Sequence, residues 1–287
     1  MTEIIPIDEI DSSLPRTNTE RVRNIFDLMM SINENKLGMG GDVIPEGVGR
    51  LMKERFPWID TAKYSVQILG NMTTSSVHLD RLTRQLIPGI ITDFYGARAS
   101  GKSQICFQLA VNAARDGKIS VFVDCSGNFR PERIVEMASL QKLDPTQIMD
   151  RIFVIRCLSI AEQTHLIERI YEFLSENHVS LILIDDLTDN FVASSDTTAM
   201  AVRSLLVRHL HQLSHLALDS KIPVVVTNTI RTRFDKGLST NVETLESIVE
   251  RGTHMRIQLE RDDNIWHASN SSGQRIRFLI SAKGVQD

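Results

Sequence analysis

Long apolar runs are missing from this sequence. No stretch approaches the ~20 consecutive apolar residues of a membrane helix, and the first twenty residues carry Glu3, Asp8, Glu9 and Asp11 where a secretory signal would be apolar. The expected setting is therefore the cytoplasm, with no membrane partner. Cysteine is scarce: Cys106, Cys125 and Cys157 stand apart without metal-ligand spacing, and an odd number closes no disulfide set. Small buried residues in a reducing compartment are the expectation. A charge excess of one sign is also lacking. With 32 Lys and Arg against 36 Asp and Glu, the net charge of -4 excludes a globally basic nucleic-acid coat, although a local basic loop can still meet phosphate. His211 and His215 stand four apart, but the glutamate of a zinc-protease helix is absent, so a packed or solvated helix face is expected. Internal repeats and low-complexity tracts are absent as well.

What is present suffices for a large core. At 287 residues and 42% apolar content, one α/β domain with a small appendage is the natural size. Residues 1 to about 20, with Pro6 and Pro15, read as a polar leader. Val22, Ile25, Phe26, Met29 and Ile32 then recur at helical spacing. After Gly38, Gly40 and Gly41, a second short helix over 47–56 stops before Pro57. The expected division is 1–57 for the leader and small helical region, 58–71 for a linker and 72–287 for the core. In the core, apolar runs near 90–95, 119–125, 152–158, 181–185 and 222–228 read as strands of a mostly parallel sheet. Helices are expected over 102–116, 131–141, 161–177 and 198–218, and tail strands near 254–260 and 274–281, joined by the polar segment 261–273.

The most informative segment is GARASGKS, residues 96–103, between a predicted strand and a predicted helix. Gly96 and Gly101 let the backbone curl around an anion, so that N–H groups of Ala97, Arg98, Ala99 and Ser100 and the start of the helix at Gln104 face phosphate oxygens. Lys102 supplies a cation for the β and γ phosphates, and Ser103 a hydroxyl for Mg²⁺. Arg98 and Ser100 either contact phosphate or face solvent. The strand LILID ends in Asp185 and Asp186, where an open parallel sheet presents groups to ligands. Asp185 is the expected second Mg²⁺ group, and ATP the expected nucleotide.

Beyond the P-loop, several strings resemble the RecA-type recombinases, and among them the archaeal RadA group and its paralogues. They are MTTSSVHLDRL (72–82), FRPERI (129–134), LILIDDLTDNF (181–191), VVVTN (224–228) and FLISAKGVQD (278–287). The resemblance spans roughly residues 70–287. It implies a RecA-like P-loop core with C-terminal antiparallel strands and a small helical N-terminal region, ATP-dependent assembly on DNA, and work in recombination and repair.

Departures from that pattern refine the expectation. The family's catalytic glutamate is matched by Ser126, whose hydroxyl cannot take a proton at neutral pH. Asp186 stands where the family has serine and is the candidate substitute base. Thr229 follows Asn228 where a γ-phosphate-sensing glutamine is usual. The first DNA-loop segment, 191–203, is short and holds no basic residue before Arg203; the second retains Arg231, Arg233 and Lys236 among Asp235, Glu243, Glu246 and Glu250. A mixed-charge solvated loop and a DNA contact are both open there. Ile59 and Ala62 are the nearest match to the family's Phe-x-x-Ala oligomerisation strand, against an ordinary linker. IPEGVGRLM (44–52) offers half of a helix-hairpin-helix module. The expectation is a paralogue that binds ATP, hydrolyses it slowly or not at all, and assists a RadA-type recombinase or its own copies on DNA, single-stranded for preference. The alternatives are an active strand-exchange ATPase and a KaiC-type signalling ATPase; FRPERI and FLISAKGVQD oppose the latter.

Overall fold

The computed structural model describes residues 72–193, 198–230 and 242–287. The chain divides into two units, Met1–Leu69 and Gly70–Asp287, and every described residue belongs to the second. The expected N-terminal helices, Ile59, Ala62, Arg231, Arg233 and Lys236 lie outside the described residues.

A short helix α1 (Val77–Thr83) leads into β1 (Ile91–Gly96), α2 (Lys102–Arg115), β2 (Ile119–Asp124), α3 (Pro131–Leu140), α4 (Pro145–Met149) and β3 (Ile152–Arg156). Then come α5 (Ile160–Glu176), β4 (Val179–Asp185), α6 (Asp189–Ala193), α7 (Ala199–Ser220), β5 (Val224–Thr229) and α8 (Val242–Gly252). The chain closes with β6 (Met255–Asp262), β7 (Ile265–Asn270), β8 (Arg275–Ser281) and β9 (Gly284–Gln286). The sheet order is β3-β2-β4-β5-β1-β6-β7-β8-β9. Pairing is parallel from β3 to β6 and antiparallel beyond it. This is the α/β fold expected, a mostly parallel central sheet flanked by helices with antiparallel strands at its C-terminal side.

The central strands read as continuous apolar runs because both faces are covered. One layer packs α2 and α3 on the sheet, where Phe107 stacks on Phe122 and Phe129 meets both edge-on. The other packs α5 and α7 through Leu166, Ile170, Leu206, Leu210 and Leu213. Helix termini are satisfied locally: Ser159 caps α5, Thr198 caps α7 and Asp144 caps α4 through side-chain oxygens.

The polar segment 261–273 differs from expectation, since it contains β7. A two-residue turn at Asp263 and Asn264, with Asp263 at φ 51°, folds β7 back on β6 with Asp262 opposite Ile265. Such turns match the right-handed twist of the flanking strands. In β7, Trp266 and Ala268 point inward while Ile265 is exposed. That alternation is masked in sequence by the polar residues of the outer face.

A candidate nucleotide site at the carboxyl edge of the sheet

Parallel register brings the ends of four strands to one edge. Gly96 pairs with Thr229, and Asp124 with Asp185. Between β1 and α2 the chain must turn tightly. Ala99 takes φ 62° and Gly101 φ 97°, and a Cβ on Gly96 would lie 2.2 Å from the Leu259 carbonyl oxygen. Only glycine permits that approach. Gly101 begins α2 with no side-chain cap, so the helix's first N–H groups and its positive end face the cleft without a competing side chain.

The cleft has a volume of about 360 Å³, and residues 98–104 line it together with Ser126, Asp185, Asp186 and Thr229. Lys102 is buried, and its Nζ donates to the carbonyls of Gly96 at 3.0 Å and Ala97 at 2.8 Å. Burial lowers its pKa, while Asp186, Asp185 and Asp93 act in the opposite sense. The Ser100 hydroxyl is buried without a hydrogen-bond partner among the described residues. Gln104 is engaged structurally: its Oε1 accepts from Arg133 Nε at 2.8 Å, tying the start of α2 to the FRPERI segment.

Asp185 and Asp186 are joined by a cis peptide and differ in surroundings. Thr227 donates to Asp185 Oδ1 at 2.5 Å, whereas Asp185 Oδ2 is buried with no hydrogen-bond partner among the described residues. Burial raises the Asp185 pKa, and the hydroxyls of Ser103 and Thr227 oppose that rise. An orphaned carboxylate oxygen beside a serine hydroxyl fits a small hard cation such as Mg²⁺, which takes one or two protein oxygens and fills its shell with water and phosphate. Asp186 Oδ1 accepts from the Thr188 N–H at 3.0 Å, and Oδ2 accepts from the Thr229 hydroxyl; the Thr188 hydroxyl lies 2.6 Å from Asn228 Oδ1 and 3.1 Å from Asp186 Oδ1. Burial raises its pKa too, against those hydrogen bonds. Asp186 and Thr229 thus contact one another. Ser126 lines the same cleft, and its Oγ lies 3.4 Å from Asp124 Oδ1.

Sequence reasoning missed part of the wall. Asn128, Asp189, Arg261, Trp266 and Ile280 also line the cleft. The last three come from the C-terminal antiparallel strands. Trp266 packs on the P-loop so closely that a Cβ at Gly101 would lie 3.0 Å from its ring, and Arg261 covers the indole at 5.0 Å. The Trp266 Nε1–H has no partner among the described residues. Below the P-loop, burial pushes Asp93 up to about 7, despite Arg256 Nε at 2.9 Å. Arg256 in turn lies 4.0 Å over the Tyr95 ring.

The Rad51 family model matches residues 66–287. The chain belongs to the Rad51 family. It is 36% identical over 203 residues to the DNA repair and recombination protein RadA of Ignicoccus hospitalis, covering 65% of this chain and 61% of that protein. The RadA of Aeropyrum pernix is 37% identical over 181 residues, or 58% and 55% of the two chains, and that of Metallosphaera sedula 36% over 178 residues, or 57% and 54%. The chain thus matches little more than half the length of these relatives. The family match takes in the whole cleft, including the C-terminal strands that carry Arg261, Trp266 and Ile280.

Proposed function

We propose that the chain is an ATP-binding Rad51-family paralogue that acts in homologous recombination and DNA repair as a mediator or accessory factor, with weak or no ATP hydrolysis. Residues 96–104 would cradle the phosphates, and Lys102 would exchange its two carbonyl contacts for phosphate oxygens. Ser103 and Asp185 would hold Mg²⁺, which supplies charge neutralisation at the phosphates. Bound nucleotide would fix an assembly with a RadA-type recombinase or further copies of this chain on DNA, with single strands favoured. Arg231, Arg233 and Lys236 are the proposed DNA contacts, and Ile59 and Ala62 the proposed tether. The cytoplasm is the proposed location, and among the described residues no helix is long and apolar enough to cross a membrane.

One observation carries the weak-hydrolysis reading. Ser126 cannot accept a proton from water, and both oxygens of Asp186 are already engaged, Oδ1 by the Thr188 N–H and Oδ2 by the Thr229 hydroxyl. Hydrogen bonds to both oxygens favour the charged form of Asp186 and so weaken it as a proton acceptor. The raised pKa of Asp186 favours the second reading, an active ATPase with a relocated base. Single-turnover hydrolysis with and without single-stranded DNA, beside a nucleotide-binding titration, separates them. Wild type should bind ATP with slow or no turnover, Lys102→Ala should lose binding, and Ser126→Glu should gain hydrolysis. Fast DNA-stimulated turnover abolished by Asp186→Ala would replace the mediator reading with that of an active recombinase.

A further inference from the structure

Two of the three cysteines, distant in sequence, leave neighbouring strands side by side. The β2–β3 register ends at Asp124 opposite Arg156, and the Cys157 N–H donates to the Asp124 carbonyl at 3.0 Å. This bond closes the Asp124–Arg156 pair, and Cys125 and Cys157 are the next residue of each strand beyond it. Neighbouring strands lie about 4.8 Å apart, within the Cα separation of about 4.4–6.8 Å that a disulfide spans. Both side chains enter the same core layer, with Val123, Ile184 and Leu166, and both thiols are free.

The two thiols are not equivalent. Cys157 forms part of the wall of a second cleft, about 360 Å³, with Arg156, Glu162, His165 and Arg169, whereas Cys125 is not among its lining residues. Hydrogen bonding from Cys125 holds the Cys157 pKa down, with Arg169 acting in the same direction; burial and Glu162 oppose them. Its donation to Cys157, and then burial, push Cys125 up. Both residues are buried, but Cys157 is the one a small oxidant in that cleft meets first, and Cys125 is placed to resolve.

We propose that Cys125 and Cys157 form an oxidisable dithiol, a modification site that takes a hydroperoxide as its oxidant and closes to an intramolecular disulfide. The Cys157 thiolate attacks one peroxide oxygen; the O–O bond breaks, the leaving hydroxide takes a proton to become water, and Cys157 becomes a sulfenic acid. The Cys125 sulfur then attacks the Cys157 sulfur. The S–S bond forms, the S–O bond breaks, and the hydroxyl departs as water with the Cys125 proton. The two thiols lose two electrons together, and hydrogen peroxide becomes two waters. The Cys125 N–H donates to the Asp185 carbonyl at 2.8 Å, and the next residue, Ser126, lines the nucleotide cleft. The new bond would tie down the strand end that carries that wall.

The experiment treats the reduced full-length chain with hydrogen peroxide, alkylates the remaining thiols and maps the products by mass spectrometry. The expected result is a monomer lighter by two hydrogens before alkylation, a linked Cys125–Cys157 peptide, only Cys106 alkylated, and reversal by dithiothreitol. Cys125→Ser should stop at a sulfenic acid on Cys157, trapped by dimedone, and Cys157→Ser should leave Cys125 unreacted. Three alkylable thiols after peroxide, sulfinic acid on wild-type Cys157, or a disulfide between two chains would each overturn the proposal. None of these readouts requires nucleotide binding, so the result stands apart from the proposed function.

Discussion

His209 shows how one buried residue sets a pH limit. It sits fully inside the α5–α7 layer, its Nδ1 has no hydrogen-bond partner among the described residues, and burial pushes its pKa down to about 4. The neutral ring is therefore favoured in the folded protein. Stability from this residue is complete above about pH 6.5, the unfolded value, and is lost as pH falls toward about 4. That gap corresponds to about 3 kcal/mol, at about 1.4 kcal/mol per pH unit. Urea unfolding measured from pH 7 to pH 4 should show the loss, and His209→Gln should flatten the slope even if it costs stability at pH 7. An unchanged slope would assign the acid sensitivity elsewhere. His254 should add in the same direction, since burial lowers its pKa and its Nδ1 accepts from the Ile91 N–H at 3.0 Å. Neither effect is legible in sequence, where His209 is one of three histidines in the string HLHQLSH and only packing distinguishes it.

Among the elements, the β6–β7 hairpin contributes most beyond expectation. Its tight turn places Trp266 against the P-loop, in the wall of the cleft, with an indole N–H that is buried and has no hydrogen-bond partner among the described residues. On the proposed reading, bound nucleotide draws the ring aside and this N–H donates to a nucleotide oxygen. Trp266→Phe should keep the hairpin packed and weaken ATP binding by about 0.5–1.5 kcal/mol, roughly 2- to 10-fold, the net worth of one hydrogen bond. A fluorescence titration in a Trp58→Phe background would follow the same indole directly. Unchanged affinity together with silent emission would show that the ring only packs. The strands and helices of the parallel half were legible because their apolar runs and amphipathic periods alternate. Strand β6 was legible too, near 254–260, but β7 was not, because only its inner face is apolar and its partner strand decides which face that is.

Across the described molecule, the C-terminal strands are fastened to the phosphate-loop helix. Arg133 donates to the carbonyls of Ala282 at 2.7 Å and Ser281 at 2.5 Å while holding Gln104, and the Val285 N–H donates to Gln108 Oε1 at 3.0 Å. Asp287 caps α1 through Val77 N–H at 2.9 Å and His78 N–H at 3.1 Å. Gly284 makes this closure possible, with φ 109° and Gln108 Oε1 only 1.8 Å from where a Cβ would sit. Gly284→Ala should therefore cost at least about 1 kcal/mol, more if Gln108 is displaced. Hydrogen exchange should rise in β8, β9 and the start of α2 together; a rise confined to β9 would mean that the strands are not coupled. The sequence by itself determined the fold class, the glycine turn between β1 and α2 and the strand that ends in Asp185, because each is written in contiguous residues whose period or spacing local chemistry dictates. Tertiary structure alone decided that Thr229 meets Asp186, that Trp266 and Arg261 wall the cleft, and that Cys157 comes beside Cys125. Those contacts join residues far apart in the chain, and they exist only because the order β3-β2-β4-β5-β1-β6 sets particular strand ends side by side.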